Sequence, residues 1–188
     1  MGDFVVWLYD DTPLHRENML KLAGEGYYDN QLFHRVIPGF MLQGGDPHSV
    51  DAKRGQRLGS GGPGYTIEAE FSPSLFHKKG AIAAARTGDN VNPEKRSSGS
   101  QFYIVQGRTL SIDELMILEQ RKIHAPFTEE EVEAYTTIGG TPHLDCSYTV
   151  FGEVIEGMAL IDSICALPTD PYDRPLEDIV YTISVIDK

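Results

Sequence analysis

The residues between Phe33 and Pro47 combine side-chain types that suit a groove for a neutral peptide group. In the stretch FHRVIPGFMLQGGDP the cation Arg35 lies close to apolar side chains and to the amide of Gln43. Arginine is always protonated and carries rigidly directed N–H donors, so it can address one atom of a bound peptide. Taken alone, Arg35 would be an ordinary surface arginine beside a core strand. The combination does not suit phosphate, a metal or nucleic acid.

Four further blocks follow, and together they resemble the cyclophilins, the peptidyl-prolyl cis-trans isomerases. The FHRVIPGF segment is similar to the active-site segment of that family. The block SSGSQFYIVQG supplies Gln101 and Tyr103, which match a substrate-binding glutamine and an aromatic residue. The block LDCSYTVFGEVIEG resembles the late strand of the family and the helix that follows it. Two blocks between these, GSGGPGYTIEAEF and GAIAAART, resemble the bacterial branch.

The resemblance implies that the chain accelerates rotation about Xaa-Pro peptide bonds. Amide resonance is lost in the twisted state, and the barrier to rotation is roughly 18–20 kcal/mol. The prolyl nitrogen becomes pyramidal and basic in that state, so a donor aimed at it stabilises the transition state more than the planar ground state. Arg35 is the catalytic residue that the resemblance implies. The reaction requires no nucleophile, proton transfer, metal or cofactor, so we expect none.

The resemblance also implies which residues contact the substrate. The expected pocket for the proline ring is apolar and consists of Phe40, Met41, Tyr103 and Leu144. Hydrogen bonds to the peptide backbone are expected from Gln43 and Gln101. Contacts made mainly through the main chain are expected from Ala85 and Arg86.

Three positions depart from the pattern of many family members. His143 stands where many carry a tryptophan at the pocket rim, and Tyr148 stands where they carry a histidine. Tyr103 replaces a phenylalanine, so its hydroxyl needs a polar partner or water. His143 and Tyr148 remain expected substrate contacts. Because the rim tryptophan is a main contact for cyclosporin-type inhibitors, strong binding of these macrocycles is not expected.

Two other classes of function stay open. A cyclophilin-like binding module or chaperone could grip proline-containing segments with little catalysis, although the presence of Arg35 favours an enzyme. An unrelated β-barrel that binds small ligands is disfavoured by the SQFYI and GSGGPGYTIEAEF blocks in family order.

Composition fits one globular enzyme domain, residues 1–188, and limits its partners. A hydrophobic content of 40% excludes a disordered or fibrous protein. The net charge of −12 argues against nucleic acid, because phosphate binding needs a basic face. No apolar run is long enough for a membrane span. The expected partners are proline-containing peptides and unfolded or folding proteins, and we expect the chain to act as a monomer.

Cysteines and histidines indicate no further site. Cys146 and Cys165 are too few for a disulfide framework, and we expect free buried thiols. The six histidines show no spacing typical of metal ligands, so no metal site is predicted.

Short apolar segments separated by Gly, Pro and Ser predict a mainly β fold. Strands are expected near Phe4–Tyr9, Leu32–Val36, Phe40–Gln43, Ala81–Ala85, Phe102–Val105, Thr149–Ile155 and Val180–Ile186. Helices are expected near Pro13–Ala23, with Asp11 or Thr12 as the N-cap, and near Met158–Ala166. The resemblance implies a closed antiparallel β-barrel capped by two helices, one at each end.

A segment of 35 residues, 108–142, does not fit the compact family pattern and is called the insertion below. Ser111 and Thr128 are each followed three residues later by a glutamate, the pattern of a capping box. The predicted helices run from about Ile112 to Arg121 and onward from Thr128. The acidic run after Thr128 is expected to be a solvated first turn. The insertion is either a peripheral helical hairpin or a partner-docking or substrate-gating element.

The start of the chain leaves its compartment open. Family members usually have one more strand before the position of Phe4, and no counterpart precedes it here. A natural start upstream of Met1 and a removed signal peptide are therefore both compatible with the sequence. Cytoplasmic and periplasmic locations are the two alternatives.

Overall fold

Antiparallel strands and four α-helices make up the fold in the computed structural model, which describes residues 2–186. In chain order the elements are β1 Val5–Leu8, α1 Pro13–Gly24, β2 Gln31–Leu32, β3 Arg35–Ile37, β4 Met41–Gly44, β5 Thr66–Ile67, β6 Ala81–Ala84, β7 Ser97–Ser98, β8 Phe102–Val105, α2 Ile112–Gln120, α3 Glu129–Thr137, β9 Val150–Glu156, α4 Met158–Cys165 and β10 Val180–Tyr181. Short 3-10 helices lie at Pro47–Ser49 and Pro142–Leu144. Strands dominate the chain less than the sequence predicted, because most of them are only two to four residues long.

Six strands form one sheet in the order β1-β9-β6-β8-β4-β3, and every neighbouring pair is antiparallel. Two smaller sheets pair β10 with β2 and β5 with β7. The closed barrel is not found, since no hydrogen-bonded ladder within residues 2–186 joins β1 to β3. The free edge of β3 instead forms a hydrogen bond with a loop: the N–H of Val36 donates to the carbonyl of Asp173 at 2.8 Å.

The predicted strand Leu32–Val36 is divided into β2 and β3. Phe33 donates its N–H to the carbonyl of Ile179, whereas His34 donates to the carbonyl of Gln43. The chain therefore changes its partner between these two residues. Sequence alternation could not reveal this change, because the side-chain pattern continues across it.

The two faces of the six-stranded sheet enter different apolar clusters, as the two-residue period of a strand requires. One face sends Leu42 and Ile104 into the large core, where α1 and α4 both pack. The opposite face carries Met41 and Tyr103 into a second, smaller cluster. The two predicted covering helices therefore share one core, and the second face is left for a groove.

A distant glutamate caps the start of α1. Thr12 makes no side-chain capping bond, contrary to expectation. The carboxylate of Glu70 instead accepts the N–H groups of Leu14 and His15, each at 3.0 Å. Pro13 at the first helical position has no N–H to satisfy, and a carboxylate suits the positive end of the helix dipole.

Both capping boxes predicted in the insertion are present. The side chains of Ser111 and Thr128 accept the N–H groups of Glu114 and Glu131, and each glutamate accepts the N–H of its cap in return. The acidic run after Thr128 was predicted to be solvated, but one of its members, Glu131, is buried. Helices α2 and α3 pack with Phe76 in a third apolar cluster. The insertion thus shares its small core with a residue from outside it.

Two smaller expectations are corrected. Of the predicted closing strand, only Val180–Tyr181 is paired, because its partner β2 offers just two residues. Cys165 is buried, but Cys146 is exposed, so burial of both free thiols was wrong. Among the described residues, no helix combines the length and the apolar character needed to cross a bilayer.

Candidate active site

Neighbouring strands bring side chains of different chemistry into one row on the second face of the sheet. Arg35 of β3 lies opposite Gln43 of β4, and Gln43 lies opposite Tyr103 of β8. Tyr103 in turn lies opposite Ala83 of β6. Directly opposed residues of neighbouring strands share a face of the sheet. A guanidinium, an amide and an aromatic ring therefore stand side by side.

This row forms the floor of a groove of about 150 Å³. Six apolar or aromatic residues and three polar ones line it, two of them cationic: Arg35, Phe40, Met41, Gln43, Ala85, Arg86, Tyr103, Leu144 and Tyr148. This volume is well below that of sites for drug-sized ligands, so it fits a group the size of one side chain. Two residues predicted for the site, Gln101 and His143, lie beside the groove and do not line it.

Arg35 is held at the groove by two acceptors. Its Nε donates to Oδ2 of Asp173 at 3.4 Å, and its Nη1 donates to Oε1 of Gln43 at 3.5 Å. The Arg35 side chain remains 44% exposed. No acceptor in residues 2–186 engages Nη2, so its N–H groups can address a bound ligand. Asp173 was not predicted, because nothing in the sequence links it to Arg35.

Gln101 supports Gln43 from behind the groove. Gln101 is buried, and its Nε2 donates to the carbonyl of Gly61 at 2.8 Å. Its Oε1 accepts from Nε2 of Gln43 at 3.1 Å. The two amides fix each other, which leaves Oε1 of Gln43 turned toward Arg35. Gln101 is therefore placed to orient Gln43, whereas the sequence predicted a direct bond to substrate.

The Tyr103 hydroxyl has the polar partner that its burial requires. It lies 2.9 Å from Nε2 of His77, whose Nδ1 lies 2.7 Å from Oδ1 of Asp145. The carboxylate can only accept, so Nδ1 carries a proton, and Nε2 can accept from the Tyr103 hydroxyl when the ring holds no second proton. Burial raises the pKa of Tyr103, which keeps this hydroxyl neutral. His77 and Asp145 were missed because no motif or spacing connects them with Tyr103.

Asp145 is a buried carboxylate that gathers donors from several elements. Its Oδ2 accepts from the hydroxyl of Tyr135 at 2.5 Å and lies 3.1 Å from Nε2 of His124. Burial alone would raise the pKa of Asp145, but hydrogen bonds from His124 and His77 lower it to about 2. Burial likewise opposes the charging of His124, yet the hydrogen bond to Asp145 raises its pKa. The pair is thus stabilised in its charged form.

Arg86 supports one wall of the groove. Its side chain is only 4% exposed, and its Nε donates to the carbonyl of Ser147 at 2.8 Å. The guanidinium carbon lies 4.5 Å from the centre of the Tyr148 ring, a cation–π contact. The Tyr148 ring meets Tyr103 edge to face at 5.9 Å. Arg86 therefore fixes the aromatic wall with its side chain.

Two predicted contacts have partners within the protein. The N–H of Ala85 donates to the carbonyl of Gln101, and the carbonyl of Ala85 accepts the N–H of Ser98. A substrate would have to share the main chain of Ala85 with these groups. The exposed ring of His143 stacks on Phe40 with centroids 5.7 Å apart, so it covers the back of a groove residue.

One group among the described residues could hold a metal ion. It consists of His124, Glu131 and Asp145, whose ligand atoms lie within 4.8 Å of one another. Nδ1 of His124 lies 2.6 Å from the carbonyl of Ala125, which can only accept, so Nδ1 carries a proton. Nε2 then faces two carboxylates, and either a second proton or a metal would satisfy it. Histidine spacing could not reveal this group, because its members come from separate segments.

Comparison with known proteins identifies relatives along the whole chain. Residues 1–185 match the family described as cyclophilin type peptidyl-prolyl cis-trans isomerase/CLD. A Staphylococcus haemolyticus protein with the provisional name peptidyl-prolyl cis-trans isomerase is 38% identical, with 100% of this chain and 88% of that protein covered. A Streptococcus pyogenes protein, provisionally named a bifunctional phosphatase/peptidyl-prolyl cis-trans isomerase, is 37% identical over 99% of this chain. This chain spans only 37% of that relative's length.

Solved structures share the fold. A Cryptosporidium parvum cyclophilin type peptidyl-prolyl cis-trans isomerase, crystallised in the presence of the dipeptide Ala-Pro, superimposes with a TM-score of 0.68. The superposition covers 100% of this chain and 94% of that chain at 24% sequence identity. A second structure of the C. parvum isomerase gives a TM-score of 0.66 over 95% of this chain and 87% of its own, at 25% identity. The architecture is therefore cyclophilin-like.

Proposed function

Because this chain belongs to the cyclophilin-type peptidyl-prolyl cis-trans isomerases, we propose that it accelerates rotation about Xaa-Pro bonds in peptides and folding proteins. The observation that carries the proposal is the row of Arg35, Gln43 and Tyr103 on the floor of a groove whose other lining residues are mostly apolar or aromatic. The family match and the staphylococcal relatives support the reaction class.

In the proposed mechanism the proline ring packs against Phe40, Met41 and Leu144, which line the groove. Nη2 of Arg35 then donates to the prolyl nitrogen, which gains basicity as the amide twists. Asp173 and Gln43 orient the guanidinium before the substrate arrives. A donor that is already aimed needs little reorganisation in the transition state, and this is the usual source of electrostatic catalysis.

Exchange NMR on a short Xaa-Pro peptide tests the proposal. Wild-type protein is expected to accelerate cis-trans exchange, and Arg35→Ala to lower the rate by about two orders of magnitude, as for loss of one transition-state donor. Arg35→Lys should recover little, because a point charge lacks the directed fork. Peptide affinity should change far less than the rate.

Two outcomes would contradict the proposal in different ways. Wild-type activity in Arg35→Ala would remove Arg35 from its proposed role. A wild-type protein that binds the peptide without accelerating exchange would favour the alternative, a proline-segment binding module or chaperone with little catalysis.

A further inference from the structure

We propose that the insertion positions the floor of the groove through the Asp145 carboxylate. Tyr135 and His124, both in the insertion, form hydrogen bonds with Oδ2 of Asp145. Oδ1 of Asp145 forms a hydrogen bond with His77, which in turn forms one with the hydroxyl of Tyr103. Tyr103 is the substrate-contacting residue, and the other members are positioning residues. The inference rests on the proposed function, because it concerns the role of the groove in prolyl isomerisation.

Half of the hydrogen bonds that Asp145 accepts come from the insertion. Its Oδ1 takes the N–H of His77 at 2.8 Å and Nδ1 of the same residue at 2.7 Å. Its Oδ2 takes the Tyr135 hydroxyl and His124. The side chains of His77 and Asp145 are 0% and 3% exposed. A buried carboxylate is costly unless donors surround it, so these four bonds depend on one another.

The network fixes the tautomer of His77, and with it the direction of the Tyr103 hydroxyl. Asp145 requires a proton on Nδ1, and in that tautomer of the ring Nε2 is the acceptor for the Tyr103 hydroxyl. The rings of His77 and Tyr103 are also stacked, with centroids 6.0 Å apart. A shift of Asp145 would therefore move the ring that forms the floor of the groove. Displacements of about 1 Å from residues remote from the chemistry can cost an enzyme much of its rate.

Packing of the insertion does not itself require the Tyr135 hydroxyl. The Tyr135 ring contacts Phe76 and Phe127 edge-on, at 5.6 and 5.9 Å between centroids. Phenylalanine at position 135 would keep both contacts. Tyr135→Phe therefore removes the hydrogen bond to Asp145 and leaves the apolar cluster in place.

A double-mutant cycle tests the coupling between the insertion and the groove. The kcat/KM for an Xaa-Pro tetrapeptide is measured in wild type, Tyr135→Phe, Tyr103→Phe and the double variant. Tyr135→Phe is expected to lower kcat/KM by about threefold to tenfold, mainly through KM, as for one buried hydrogen bond. In the Tyr103→Phe background the same change should have little effect, because no hydroxyl links the ring to His77. An equal loss in both backgrounds, or no loss in wild type, would overturn the proposal.

A matched control separates positioning from general weakening of the insertion. Ser111→Ala removes a cap of α2 in the same insertion and touches none of the network, so kcat/KM should not change. A loss with Ser111→Ala as large as with Tyr135→Phe would contradict the proposal. If Tyr135→Phe fails to fold, His124→Gln should show the same dependence on Tyr103.

The tautomer of His77 gives a readout that does not depend on activity. Nitrogen-15 NMR of the wild type is expected to show the proton on Nδ1, and a proton on Nε2 alone would overturn the network. If the wild type does not isomerise prolyl peptides, the proposed function fails, whereas the tautomer still decides whether this network exists.

Discussion

At the scale of single residues, the orientation of Arg35 depends on Asp173, which lies 138 positions later in the chain. The two side chains are 44% and 42% exposed, so the ion pair contributes little to the stability of the fold. The ion pair matters more for catalysis than for stability, because it orients the Arg35 guanidinium in one direction. Asp173 also has a φ of 65°, a left-handed conformation in which Asn and Asp are tolerated better than most residues.

Asp173→Asn should therefore remove the charge while keeping the backbone of the loop. We expect kcat/KM for an Xaa-Pro peptide to fall by about twofold to fivefold, the range of an exposed ion pair. The difference from wild type should shrink as salt is added, because exposed charges are screened. Steady-state kinetics at two ionic strengths measures both effects. A loss as large as that of Arg35→Ala would mean that Asp173 acts on the substrate directly.

His143 contributes aromatic surface at the rim of the groove. It belongs to the 3-10 helix Pro142–Leu144, is exposed, and stacks on Phe40. His143→Trp would add a larger ring at this rim. We expect a cyclosporin-type macrocycle to bind the variant about tenfold more tightly than wild type, as one aromatic contact can supply. Calorimetry measures both affinities, and nanomolar binding by the wild type would show that other rim contacts suffice.

At the scale of elements, the sequence predicted features that depend on neighbouring residues. Both capping boxes of the insertion were found, because each involves residues three positions apart. The cap of α1 was not, because Glu70 reaches it from a distant segment. The open sheet was also not predicted, since the edge of β3 bonds a loop near Asp173 that carries no strand pattern.

In the groove, too, features set by neighbouring residues were predicted, and features set by contacts between distant segments were not. Family blocks placed Arg35, Gln43 and Tyr103 among the candidate residues, and strand register brings them together. Their supports, such as His77 and Asp145, were missed because hydrogen bonds between remote segments leave no periodic trace in a sequence. The chemistry available to each candidate residue could be predicted from the sequence. The residues that hold it in position could be identified only from the structure.

The two capping boxes of the insertion should differ in their value to stability. Removing a Ser or Thr cap costs about 0.5–2 kcal/mol of unfolding free energy. Thr128→Ala is expected to cost more than Ser111→Ala, because Glu131, the partner of Thr128, is buried, whereas Glu114, the partner of Ser111, is only half-buried. Urea unfolding measures both. Ser163→Ala on the exposed side of α4 is the control and should be nearly neutral, and an equal effect there would contradict the assignment.

At the scale of the whole molecule, buried titratable groups determine the response to acid. Burial lowers the pKa of His34 to about 4, and that of His15 is lowered for the same reason. Both histidines are neutral in the folded protein but take up a proton more readily in the unfolded chain. Asp145, with its pKa lowered to about 2, favours the folded state only while it is ionised. Each group therefore stabilises the fold above its unfolded pKa and loses that contribution as the pH falls.

The free energy of unfolding should consequently fall in two stages on acidification. Between pH 6.5 and about 4 the shift of His34 removes about 3 kcal/mol, and between pH 3.8 and about 2 that of Asp145 removes about 2 kcal/mol. His34→Gln cannot titrate, so it should flatten most of the first stage and leave the second. His48→Gln, at an exposed histidine, is the control and should keep both stages. Urea unfolding across this pH range measures the curves, and an unchanged first stage in His34→Gln would show that another group governs it.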